Sequence, residues 1–343
     1  MLRIDPKFVA AAEAATKATD LYELLQNAVR LEHSTIPPYL TASYSLKLGV
    51  NSAIRNMITN IAVEEMLHMA IVANVLNAIG GRPEIDRPDF IPVYPGPLPM
   101  NIGAGLQVGL RKFSKALVHD VFMEIEKPEN PILFPGPELE IAQFATIGTF
   151  YQAIIDKIKE LGDGIFTGKP ERQVIVDAGF PSQQLFAITD AATAVRALEM
   201  IVKEGEGTTT LPFDDEDEPA HYYRFEEIYR GRRLAKDDTA ENGYRYAGAV
   251  VPFEPAEVWN LPDDPKAADY PVGSDQRAKV DAFNRTYSDI LRLLQKTFDG
   301  NPQQINDSLF SMGLLRRVGT QVVSTTDPDT GKQLGLTFEY VPA

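Results

Sequence analysis

Between residues 54 and 79, positions spaced alternately by four and three read Ile54, Ile58, Ile61, Glu65, His68, Val72, Val75 and Ile79. That spacing keeps them on one face of a helix, so the chain has to fold around a buried helical stripe. One carboxylate and one imidazole interrupt the apolar line. A buried ionised Glu costs several kcal/mol unless it is paired or holds a metal. Helical bundles use Glu-x-x-His to present two ligands to one metal. The competing reading is a Glu and a His bonded to each other on a half-exposed face.

The preceding segment repeats the pattern. Leu21, Leu25, Ala28, Glu32, Thr35 and Tyr39 form a second stripe, again apolar apart from a mid-helix carboxylate. The chain turns at Gly49 to Ser52, where Asn51 or Ser52 is placed to cap the next helix. Glu32 lies 17 residues before Gly49 and Glu65 lies 16 after it, so an antiparallel hairpin brings both carboxylates to one height. Pro37 and Pro38 are expected to break the first helix and free backbone groups beside the site. His33 lies about 100° round the helix from Glu32 and reads as a surface or supporting histidine rather than a ligand.

Composition narrows the metal chemistry. The chain has no cysteine, which excludes disulfides, thiolate-held zinc or iron-sulfur clusters, and a cysteine nucleophile. A transition metal would need carboxylates and some of the four histidines, His33, His68, His119 and His221. With 48 acidic against 33 basic residues and a net charge of -15, a nucleic-acid partner is not expected. No stretch reads as a membrane span and the N-terminus lacks the apolar run of a signal peptide, so a cytoplasmic location is expected.

Helical periodicity continues over about 112–123, 139–161, 183–204, 219–230, 276–298 and 302–316, with a small hairpin closing the chain around Asp329 to Gly331. A Pro- and Gly-rich stretch at 81–110 reads as a packed crossover. Hairpin pairs joined by one long crossover outline an all-α, ferritin-like four-helix bundle over 1–234, with a helical and irregular C-terminal extension over 235–343 packed on it.

The second half of the bundle is less regular. Phe144, Ile147, Tyr151, Ile154, Ile158 and Leu161 give an apolar face with no carboxylate, Thr149 being the polar residue at mid-helix. The next helix offers Ile188, Ala192, Val195, Glu199, Val202 and Glu206, ending in Glu204 to Gly207. Glycines flanking Glu206 let backbone approach a site, so Glu206 is the preferred third carboxylate and Glu199 the alternative, against an exposed helix-end role for either. His221 heads an apolar line through Phe225 and Ile228 and is expected to face inward. His119 reads as a packing or surface residue, and Glu218 as a solvated or capping charge.

The strings LEHSTIPPYL (31–40), EEMLHMAIVANVLNAIGG (64–81), VYPGPLP (93–99), FMEIEKPE (122–129), IGTFY (147–151), KEGEG (203–207), HYYRFEEI (221–228), FNRTYSDIL (283–291) and LTFEY (336–340) resemble the ferritin-like family of iminophenyl-pyruvate dimer synthase type. The resemblance covers nearly the whole chain. It implies a di-metal bundle with ligands at Glu32, Glu65, His68, Glu206 and His221, Glu65 bridging and each histidine taking one metal. Many relatives carry Glu where this chain has Thr149, within the IGTFY string, which implies one carboxylate fewer here. Such a donor set suits iron, most simply as a di-iron centre, or manganese or zinc. The expected activity is oxidation, with O₂ or peroxide, of a small substrate such as an imino acid; a metal-binding or storage bundle without turnover is the alternative. The expected partner is a small molecule, with self-association left open. Tyr39 and Tyr151 are candidate supporting donors, and Phe90 and Tyr94 a candidate pocket roof.

Overall fold

The computed structural model describes residues 5–101, 105–128, 131–132, 134, 147–175, 184–206, 212–213 and 217–343. A short helix α1 (Pro6–Glu13) leads into the long hairpin of α2 (Ala18–Ser45) and α3 (Ser52–Ala78). The crossover then passes through α4 (Lys115–Leu117), a π-helical segment at Val118–Phe122 and α5 (Met123–Ile125). Helices α6 (Ile147–Leu161) and α7 (Ala191–Glu206) pack together and α7 also meets α3, completing an all-α, ferritin-like bundle. The shorter α8 (His221–Arg230) lies against α3, α5 and α7.

Both hairpin stripes are buried throughout. Leu21, Leu25, Ala28 and Tyr39 of α2 and Ile54, Ile58, Ile61, Val72 and Val75 of α3 are fully buried. Each large aliphatic among them stabilises the fold by about 1.5–3 kcal/mol relative to exposure. Helix α3 is long and apolar enough to cross a membrane, contrary to the sequence expectation, but most of that apolar surface is spent on the core of the bundle.

Helix α2 is not broken at Pro37 and Pro38; it runs through both. Pro38 cannot bond the carbonyl of Ser34, and the Tyr94 hydroxyl donates to that carbonyl instead, at 2.7 Å. Two nearby hydroxyls bond within the helix as well, Ser34 to Leu31 O and Thr41 to Pro37 O, at carbonyls the prolines do not orphan. The Tyr94 bond thus offsets part of the roughly 3 kcal/mol an interior proline costs. Asn51 does not cap α3. Its amide instead donates to the carbonyls of Glu254 and Glu257 and accepts from Glu254 N, tying the hairpin turn to the later chain.

Beyond α8 a two-stranded ribbon, β1 (Ala235–Lys236) and β2 (Tyr244–Arg245), is followed by irregular chain that crosses the hairpin turn, where Trp259 N donates to Ser45 O at 2.7 Å. Helices α9 (Asp275–Phe298) and α10 (Ile305–Ser324) then pack on each other and on the outer side of α2 and α3. The expected closing hairpin reduces to one bridge, Thr326 with Gln333. The final segment is held by side chains instead: Thr337 donates to the Asn284 amide oxygen, and Ser288 Oγ accepts from Val341 N.

Candidate metal centre

The two halves of the bundle converge on a buried cluster of carboxylates and imidazoles. Glu32 from α2 with Glu65 and His68 from α3 can each turn a donor atom to within 4.8 Å of the others, and so can Glu65, Glu126 and His221. Glu126 caps the end of α5 and His221 is the first residue of α8. Glu65 belongs to both groups through one atom: its Oε1 lies 3.8 Å from His68 Nδ1 and 2.9 Å from His221 Nδ1. Glu32 Oε2 is 3.6 Å from His68 Nδ1, and Glu126 Oε2 is 3.5 Å from His221 Nδ1. The two imidazoles stack with ring centres 5.5 Å apart.

The remaining oxygens are held from outside. Tyr151 donates to Glu32 Oε1, Thr35 to Glu65 Oε2 at 2.9 Å, and Tyr39 to Glu126 Oε1. Each carboxylate therefore has one oxygen fixed by a hydroxyl and the other directed at the imidazoles. The outer nitrogens follow the same logic. His68 Nε2 lies 2.9 Å from Glu204 Oε2, and His221 Nε2 lies 2.8 Å from Glu64 Oε2. A histidine whose Nε2 proton is taken by a carboxylate presents Nδ1 as a lone pair, the arrangement that metal-binding imidazoles use.

Burial and charge crowding set the proton affinities. Burial, then the nearby Glu126 carboxylate, push Glu65 up to about 7. Burial opposes a charge on His68, but Glu204 and Glu32 outweigh it and hold its proton up to about 10. His221 is likewise raised, with Glu126, Glu64 and Glu65 overcoming its burial. Glu64 goes the other way: despite burial, His221 and Arg224 hold it well below the ordinary carboxylate range. Without an ion, the imidazoles thus serve as the cluster's counter-charges.

The donor set fits a divalent transition metal. His221 Nδ1 is buried with carboxylate oxygens on its inner side, Glu65 Oε1 at 2.9 Å and Glu126 Oε2 at 3.5 Å, so a cation can take the place of its proton among them. Hard carboxylate oxygens combined with imidazole nitrogen suit iron, manganese or zinc. A small cavity adjoins the cluster, walled by Leu31, Ile125, Ile147, Ile201 and Val202 with Gly205.

Glu32, Glu65, His68 and His221 all stand in the cluster. The side chain of Glu206, the expected third carboxylate, lies outside the described residues, as does Phe144. Glu199 is half-exposed and 3.6 Å from Lys159, away from the site. The inner face of α7 is Ala194, Ala197, Leu198, Ile201 and Glu204, with Val195 at its edge; Ala192 and Glu199 of the expected stripe lie on the exposed side. Thr149 does not line the cavity.

His33 is not a surface residue. It is buried on the opposite face of α2, 2.6 Å from the Tyr287 hydroxyl and against Phe90, beside a small apolar cavity between the hairpin and α9–α10. Burial holds it down to about 3, and hence neutral. Phe90 and Tyr94 are packing residues outside the metal-side cavity. His119 pairs with Asp120 and stacks on Tyr229, away from the cluster. Sequence reasoning missed Glu64, Glu126 and Glu204; the motif FMEIEKPE contained Glu126, but an acid at the end of a three-residue helix has no periodicity to reveal it.

The ferritin-like sequence profile matches residues 25–230. The chain is 23% identical to the dichlorochromopyrrolate synthase of Lentzea aerocolonigenes over 98% of its own length, and spans 37% of that relative's length. A crystal structure of a ferritin-like protein from Caulobacter vibrioides superposes with a TM-score of 0.61 at 23% identity, covering 94% of this chain and 97% of that one. The chain belongs to the ferritin-like family.

Proposed function

We propose that the cluster binds two transition-metal ions, iron foremost, and that the protein is an oxidoreductase acting on a small amino-acid-derived substrate such as an imino acid. The observation that carries this reading is the single Glu65 oxygen shared between two three-donor groups, each with its own imidazole. Glu32, Glu65 and His68 would hold one ion, and Glu65, Glu126 and His221 would hold the other. Glu206 is kept as a further terminal ligand on the strength of the family resemblance. When bound, the ions supply redox equivalents and Lewis acidity to a substrate beside them.

The protein's own part is orientation and exclusion of water. Tyr151, Thr35 and Tyr39 keep each carboxylate from rotating both oxygens into the cluster. The aliphatic cavity wall suits the apolar end of a substrate.

Anaerobic loading with iron(II), followed by exposure to O₂ with and without an aromatic imino acid, tests the proposal. Two ions bound per chain and substrate-dependent O₂ consumption are expected. Iron bound without any such consumption would favour the storage reading.

A further inference from the structure

The two donor groups share Glu65 but differ in what stands behind their imidazoles, and the difference is one of charge. Behind His68, Glu204 accepts at its second oxygen from Gln184, a neutral amide, at 2.9 Å. Behind His221, both oxygens of Glu64 are gripped by the guanidinium of Arg224, through Nη1 at 2.9 Å and through Nη2. Arg224 is itself buried. Counting described side chains in direct contact, the His68 side holds Glu32, Glu65 and Glu204 with no cation besides the imidazole. The His221 side holds Glu65, Glu126 and Glu64 with one permanent cation, Arg224, whose other carboxylate neighbour, Glu218 at 3.7 Å, is exposed and screened by solvent.

Resting on the two-ion reading, we propose that the two metal positions are unequal and fill in order: the Glu32–Glu65–His68 position first, the Glu65–Glu126–His221 position second. Two effects act in the same direction. An ion at His221 has a guanidinium two contacts away, and in a buried site such repulsion is poorly screened. A carboxylate that shares its charge with Arg224 also draws less on the imidazole proton, so His221 is the weaker electron donor. Glu204 and Glu64 act as positioning residues: each works through its histidine, and the cation on one of them sets the difference. Arg224 thereby makes one position tight and the other exchangeable within one cluster.

Cobalt(II), added alone to metal-free full-length protein and followed by its visible absorption and by calorimetry, provides the test. Two resolved steps separated by about 10-fold or more are expected, the range over which outer partners change metal affinity. His221→Ala should remove the weaker step and leave the tighter one, whereas His68→Ala should remove the tighter one. Arg224→Met should strengthen the second step and bring the two together, and Arg224→Lys, which keeps the cation, should preserve the separation. Glu204→Gln should weaken the first step alone. Two equal steps, or a first step that survives His68→Ala and is lost in His221→Ala, would overturn the proposal while leaving a two-ion centre standing. Failure of the wild-type protein to bind two ions would instead sink the reading on which it rests. If Arg224→Met does not fold, the two histidine variants and Glu204→Gln still decide the order.

Discussion

The α2–α3 hairpin and the opposite half of the bundle deliver donors to one cluster by different means. The hairpin supplies Glu32, Glu65 and His68 from helix interiors, where the backbone is fixed by flanking turns and the side chains by apolar neighbours four and three residues away. The other half supplies Glu126 and His221, with Glu204 behind His68, from helix ends: the cap of α5, the first residue of α8 and the last turn of α7. Interior donors are placed by periodicity. End donors are placed by where separate elements dock, so they depend on tertiary packing and on outside partners such as Tyr39, Arg224 and Gln184.

This contrast can be broken or sharpened by substitution. The largest effect is expected at the shared residue: Glu65→Ala should reduce bound iron from two ions per chain to none that survives gel filtration, read by elemental analysis. Glu32→Ala and Glu126→Ala should each cost one ion, and a silent Glu126→Ala would show that the helix-end half is not part of the centre. Tyr39→Phe and Tyr151→Phe, which free one oxygen of Glu126 and Glu32, should each weaken binding about 10-fold, measured by chelator competition. His33→Ala should leave metal content unchanged while lowering stability by about 0.5–3 kcal/mol, seen in denaturant melts; a loss of metal comparable to that of His68→Ala would contradict the facing of α2.

Proton linkage gives a separate check on the metal-free protein. Glu65 has a folded pKa of about 7, above its ordinary 4.5, so its contribution to stability is present below about 4.5 and is lost as pH rises through 7. Glu65→Gln should therefore raise the melting temperature of metal-free protein at pH 8 and lose that advantage toward pH 4.5. His68 is also raised, to about 10, so its imidazolium stabilises the metal-free fold at neutral pH until pH climbs through that value. An ion must displace this proton, so metal affinity should rise with pH and binding should release protons, measurable by calorimetry in buffers of different ionisation enthalpy.

The same contrast explains what was legible in the sequence. The hairpin could be read because two uninterrupted stripes fix both the buried face and the height of Glu32, Glu65 and His68. His221 was legible for the same reason, through the apolar line to Phe225 and Ile228. Glu126 ends a helical stretch broken by a π turn, too short for any period to show. Glu204 was hidden by a phase error: the inner face of α7 runs through Ala194, Leu198 and Ile201, and reading it through Ala192 and Glu199 put attention on Glu206 instead. The continuity of α2 through Pro37 and Pro38 depends partly on Tyr94, some 60 residues distant in the chain, which no local pattern encodes. His33 is buried because α9 brings Tyr287, and the crossover brings Phe90, across it.

The central claim is that one Glu65 oxygen joins two metal positions. Anaerobic titration of the metal-free protein with iron(II), read by Mössbauer spectroscopy after oxidation, addresses it most directly. Two ions per chain giving a magnetically coupled pair are expected. One ion per chain, or two ions without coupling, would contradict it.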